Sequence, residues 1–130
     1  MTLFHALPGD LDAGDVAAAL DEAADRPAFA VRVTGVQPLG RGAAYRLESA
    51  ELAAVHAQLR ARFSDGLTPQ DRQPFRPHVT VQNKVDPAVA RRTVESLRAA
   101  FAPAEVPATG LALWRYAGGP WAPLSEHRFR

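Results

Sequence analysis

Two stretches of this chain repeat one order of elements at nearly the same length. The first opens with a short extended segment at Thr2–Leu3, passes through an amphipathic helical stretch and reaches a strand around Val31–Val33. The second opens with an extended segment at Thr80–Val81 and passes through another helical stretch to a strand around Leu111–Leu113. Such a duplication constrains the fold more than any single residue does. It predicts two similar lobes facing each other across a cleft.

Local signals fill in the elements. Asp12 is placed to cap a helix from about Ala13 to Asp25, with Asp15 in the first turn, where the helix dipole favours an acid. Val16, Leu20 and Ala23 or Ala24 form its apolar stripe, and Pro27 ends it. Phe29–Gly35 alternates as a strand does, Pro38–Gly42 reads as a turn, and Ala43–Leu47 as a second short strand. Ser49 can cap a helix in which Leu52, Val55, Leu59 and Phe63 fall at helical spacing. A polar loop with three prolines covers Ser64–Pro77, and His78–Lys84 reads as a strand. Asp86-Pro87 is a helix-start signal. That helix is expected to reach about Phe101, with Ala90, Val94, Leu97 and Phe101 inward and Arg91, Arg92, Glu95 and Arg98 in solvent. Leu111–Tyr116 and Trp121–Phe129 are expected to form a hairpin across Gly118-Gly119-Pro120. The predicted order is β-α-β-β-α-β-α-β-β, an α+β arrangement in a single domain over residues 1–130.

Composition narrows the function classes. The 130 residues suffice for one real core, and 47% hydrophobic with 22% charged residues is ordinary for a globular protein. No apolar run approaches the ~20 residues that span a bilayer. The opening MTLFHALPGD has neither the basic start nor the apolar run of a signal peptide, so a cytoplasmic location is expected. Zero cysteines leave no disulfide framework and no thiolate metal site. Residues 1–40 carry a net −4 and residues 41–130 a net +5, and Lys84 is the only lysine. Arginine suits bidentate phosphate contacts, but an Ala- and Pro-rich sequence from a GC-rich genome supplies it by default. The total of +1 is too small for a coat on long nucleic acid.

The segment with chemical content is Phe75-Arg-Pro-His-Val-Thr-Val-Gln-Asn-Lys84. In a strand, His78 and Thr80 point to one face, as do Gln82 and Lys84. An imidazole beside a hydroxyl can hold a phosphate, the histidine moving a proton and the threonine donating to a nonbridging oxygen. Alone, the pattern is more often a structural histidine in a half-buried strand. His56 and His127 read as structural or surface residues. The chain has no Gly-rich phosphate loop, no His/Asp/Glu cluster at metal spacing and no Ser-His-Asp context around His78, so no metal or cofactor is expected.

Pro77-His-Val-Thr-Val closely resembles the second His-x-Thr motif of the two-histidine (2H, or 2'-5' RNA ligase-like) phosphoesterases. The resemblance runs from Thr2 to the terminal hairpin. It implies a bilobal, internally duplicated fold with two antiparallel sheets around a central cleft. It also implies metal-independent attack on a 2',3'-cyclic phosphate or a 2'-5' phosphodiester, with one histidine as base, the other as acid, and the threonines as phosphate ligands. His78 and Thr80 then take catalytic positions, and Thr2 and Thr80 bind phosphate. Arg76, Lys84 and Phe4 are candidate substrate contacts. Trp114 and Tyr116 could stack on a base, although strand aromatics are more often core.

The first motif should stand at the N-terminus. There Thr2 and Leu3 match, Met1 occupies the x position, and the partner histidine falls one residue before the chain. The family's preceding strand and helix are then also expected to be missing. A start codon assigned too late is the favoured reading, over a truncation or a short protein that binds without turnover. Strand parity turns His5 away from the face shared by Thr2 and Phe4, which argues against His5 as a substitute. The expected function is phosphoesterase action on RNA ends or small cyclic nucleotides, with no membrane and no obligate protein partner. The alternative is a non-catalytic nucleotide- or RNA-end-binding module.

Overall fold

Each helix begins where the sequence supplies a start signal. In the computed structural model, which describes residues 1–130, Asp12 accepts a bond from the Gly14 amide at 2.6 Å and opens α1 (Ala13–Ala24). Ser49 Oγ accepts from the Leu52 amide at 3.1 Å and opens α2 (Ala50–Arg62). The third helix, α3 (Pro87–Ala100), starts on its proline, and Asp86 makes no side-chain capping bond. Proline's fixed φ and missing N–H suffice at that position.

Six strands complete the chain: β1 (Phe29–Pro38), β2 (Ala43–Glu48), β3 (His78–Gln82), β4 (Ala104–Ala108), β5 (Gly110–Arg115) and β6 (Ala122–Arg128). They form two antiparallel sheets, one in the order β3-β2-β1-β4 and one a β5-β6 hairpin. This is the expected α+β arrangement with two antiparallel sheets. Two elements differ from the sequence reading. Thr2–Leu7 forms no strand, because the amides of His5 and Ala6 donate to the side chain of Asp71 instead of to a neighbouring strand. Conversely, Ala104–Ala108 is a strand, paired with Phe29–Val33. Pro107 hid it, yet an edge strand tolerates a residue that cannot donate.

The two sheets draw their helices from opposite halves of the chain. The helix α3 lies on β1 and β2, where Val36, Ala43 and Val94 are buried with Tyr45, Leu97 and Phe101 around them. The helix α1 lies on β5 and β6 and against α2, in a core of Val16, Leu20, Val55, Leu59, Phe63, Leu111 and Phe129. Leu52 of α2 meets Val31 and Leu47, so α2 joins the two parts. Burying one such side chain stabilises by about 1.5–3 kcal/mol. His127 on β6 is buried, with Nδ1 2.6 Å from Asp21 Oδ1 and Nε2 2.9 Å from Ser125 Oγ. It ties α1 to the hairpin, as the structural reading of this histidine expected. Arg130 closes the same seam: its amide donates to the Arg26 carbonyl at 2.8 Å and its own carbonyl accepts from Ala28 at 3.3 Å.

One glycine is required by close packing. A Cβ on Gly42 would fall 1.9 Å from the Gln82 carbonyl oxygen and 2.7 Å from its carbon. Only glycine lets the β1–β2 turn pass beneath the end of β3. No helix is long and apolar enough to cross a membrane.

Candidate functional site

His78 opens β3, an edge strand whose one neighbour is β2, with His78 opposite Arg46 and Thr80 opposite Ala44. Its ring is held by the chain just before it: Nδ1 lies 2.8 Å from the Arg76 carbonyl oxygen. A carbonyl can only accept, so Nδ1 carries a proton. In the neutral ring Nε2 is then the bare nitrogen, and it is free of protein partners. That nitrogen can take a proton or, once protonated, give one.

The segment leading to His78 is clamped by an aromatic stack. The His56 ring lies 3.9 Å from Phe75 at 3° and 4.7 Å from Phe4 at 9°, forming a three-ring sandwich. Phe4 also meets Phe63 edge-on, with centroids 6.3 Å apart. One buried histidine on α2 thereby fixes both the N-terminal segment and the approach to β3. Burial, with Arg60 nearby, holds the His56 pKa below its ordinary 6.5, against opposing pulls from Asp71 and the Leu3 backbone. Neutral His56 suits a ring packed between two phenyl faces.

Asp71, in the loop before β3, holds the N-terminal segment from the other side. Its Oδ1 accepts from the His5 amide at 2.8 Å and its Oδ2 from the Ala6 amide at 2.9 Å. The same Oδ1 lies 3.1 Å from His5 Nδ1. The carboxylate is 1% exposed, whereas the His5 side chain is 52% exposed. Burial would push this carboxyl up, but the two amide donors and then the His5 ring outweigh it and hold it below the ordinary 3.8. Asp71 carried no signal in the sequence, since its partners lie about 65 positions away.

These contacts enclose a small cavity of about 140 Å³. Thr2, His5, Asp71, Arg76 and His78 are in its wall, with His56 and Phe75 of the stack behind them. The two ends of the sequence argument, Thr2 and His78, therefore meet at one site. Thr80 stands two residues further along β3, exposed and outside that wall. β3 ends at Gln82 and Lys84 has φ 60°, so strand alternation does not extend from His78 to Lys84. Phe4 faces His56 and the core. Trp114 and Tyr116 are exposed at 50% and 60%, against the expectation that strand aromatics pack inward. The parity that set His5 aside does not apply, because residues 1–7 are not a strand. No group of three or more His, Cys, Asp or Glu side chains is placed to hold a metal ion.

Comparison with solved structures returns the same architecture. The structure of TT0787 from Thermus thermophilus superposes with a TM-score of 0.70 at 22% identity, covering 91% of this chain and 70% of that one. The structure of E. coli LigT complexed with 3'-AMP gives 0.58 at 19% identity, covering 95% and 74%. A crystal structure described as a phosphoesterase gives 0.58 at 18%, covering 92% and 71%. At these identities the likeness is one of fold. No curated protein matches the chain in sequence. The family model for the 2'-5' RNA ligase superfamily matches residues 1–120, nearly the whole chain. The chain belongs to the 2'-5' RNA ligase superfamily.

Proposed function

We propose that this protein is a phosphoesterase that opens 2',3'-cyclic phosphates or cleaves 2'-5' phosphodiesters at the ends of RNA or on small nucleotides. One observation carries the reading. His78, with Nδ1 held by the Arg76 carbonyl and Nε2 free, shares the wall of one cavity with Thr2 and Arg76. A cavity of about 140 Å³ admits a phosphate and leaves the nucleoside outside; whole drug-sized ligands need roughly 300 Å³ or more.

In the hydrolytic direction a base takes a proton from water, and the water oxygen bonds to phosphorus. The bond from phosphorus to the ribose 2' or 3' oxygen breaks, and an acid protonates that oxygen. His78 Nε2 performs one of the two proton transfers. Thr2 donates to a nonbridging oxygen, with Thr80 available further along the strand face. The Arg76 guanidinium offsets charge on the phosphoryl oxygens. LigT, which shares the fold, was crystallised with 3'-AMP, and this supports a nucleotide as the ligand class.

The test is hydrolysis of 2',3'-cyclic AMP by the full chain, followed by His78→Ala. Turnover is expected in the wild type and a loss of about 10²–10⁴ in kcat in the variant. Binding of 3'-AMP by both proteins with turnover by neither would replace the enzyme with a nucleotide-binding module.

A further inference from the structure

We infer that Arg46 on β2 binds a second phosphate, the phosphodiester one nucleotide back from the phosphate at His78, so that the substrate is the end of an RNA strand and not a free mononucleotide. The inference rests on the phosphoesterase reading and names the substrate class which that reading leaves open. The strand register sets the geometry. Val36 and Tyr45 are paired with each other and pack on α3 with Val94. Alternation puts their chain neighbours Gly35 and Arg46 on the opposite face. Two rows of paired residues cross the sheet on that face: His78, Arg46 and Gly35 in one, Thr80, Ala44 and Gln37 in the next. Gly35 and Ala44 raise at most a Cβ, so the middle of the patch is a low floor with His78 and Thr80 along one side.

The exposed side chain of Arg46 reaches across this floor. A Cβ on Gly35 would lie 3.5 Å from Arg46 Nη1. The guanidinium therefore leans over β1, into the space that the glycine leaves, and away from β3. Those two strands are two ladder steps, about 10 Å, apart. One phosphate keeps two donors within roughly 8 Å of each other, two hydrogen bonds of about 2.9 Å plus the width of the anion. A phosphate seated at His78 thus leaves Arg46 to the next phosphate along a strand. The charges agree. One row further on the same face, Arg32 and Glu48 neutralise each other at 3.1 Å. The Arg46 guanidinium joins no ion pair and donates no hydrogen bond within the chain. Its planar fork matches two nonbridging oxygens of a phosphodiester.

The experiment compares two substrates: 2',3'-cyclic AMP, which has only the reacting phosphate, and the dinucleotide adenylyl-adenosine ending in a 2',3'-cyclic phosphate, which adds one phosphodiester. The readout is the ratio of kcat/KM for the dinucleotide to that for the mononucleotide. A ratio taken on one protein does not depend on how much of that protein is folded. The wild type should favour the dinucleotide by about 10- to 100-fold, the worth of a charge-assisted contact, with most of the margin in KM. Arg46→Gln should bring the ratio close to one, and Arg32→Gln should keep the wild-type ratio. Added salt should shrink the wild-type margin. A wild type with no preference, or an Arg46→Gln protein that keeps it, overturns the assignment and leaves the phosphoesterase reading standing. An equal loss on both substrates places Arg46 at the reacting phosphate and also overturns it. Turnover of neither substrate ends the phosphoesterase reading. Binding then decides on Arg46: the wild type must hold adenylyl-adenosine 3'-phosphate more tightly than 3'-AMP, Arg46→Gln must lose that margin, and any other result overturns the assignment.

Discussion

Replacing Asp71 by asparagine tests how the cavity is built. The carboxylate now serves three donors: the His5 amide at 2.8 Å, the Ala6 amide at 2.9 Å and the His5 ring at 3.1 Å. Asparagine has the same shape but one oxygen. If that oxygen stays with His5, the new NH2 faces the Ala6 amide, and two donors oppose each other. Leaving a donor without a partner costs about 1–3 kcal/mol, and turning two charge-assisted bonds into neutral ones costs about another 1 kcal/mol. The total of about 2–4 kcal/mol falls on residues 1–6, because Val55 and Leu59 share a core with Val16, Leu20, Leu111 and Phe129, which lie outside that segment. Local release of that size accelerates amide exchange by about 30- to 10³-fold. Hydrogen exchange read residue by residue should show this at His5 and Ala6, with the amides of α2 unchanged. Wild-type exchange at His5 and Ala6 would refute the anchoring role. Uniform acceleration reaching Val55 and Leu59 would show instead that the loop and the core open together.

Two further perturbations probe the frame around the site. His56 is held below its ordinary 6.5, so the unfolded chain takes the proton first. Stability from neutral His56 is complete above about pH 6.5 and is lost as pH falls through the lower folded value. Asp71, held below 3.8, contributes stability above that pH that is lost on further acidification. The melting temperature should therefore drop between pH 7 and pH 5, and His56→Phe, which preserves the stack, should flatten that drop; an equal drop in the variant would assign the effect elsewhere. Gly42→Ala drives a Cβ into the Gln82 carbonyl and should cost about 1–3 kcal/mol, read as a lower urea midpoint. An unchanged midpoint would mean that the β2–β3 edge yields freely.

What the sequence revealed was local. Asp12, Ser49 and Pro87 announce helix starts because a cap acts within three residues. The strand from His78 was legible from its residue types, although it ends at Gln82. The signals that failed depend on distant partners. Thr2–Leu7 has the composition of a strand, but its amides are captured by a carboxylate more than sixty positions away. His56 looked like any helical histidine until the fold brought Phe4 and Phe75 to its two faces. The face of Lys84 was not legible for a subtler reason: β3 ends at Gln82, and Lys84 itself stands in the left-handed region beyond the alternation its assignment depended on. The motif was therefore readable, while the device that holds it was not.

The seam between Arg26, Ala28 and Arg130 carries a consequence for synthesis. The helix α1 leaves the ribosome well before β5 and β6, the strands that cover part of its apolar stripe of Val16, Leu20 and Ala23. Until those strands dock and Arg130 exchanges its bonds with Arg26 and Ala28, the stripe lacks that part of its cover. The α1 lobe is completed only once the residues through Arg130 have emerged, and nascent chains of intermediate length should be the forms most in need of a chaperone.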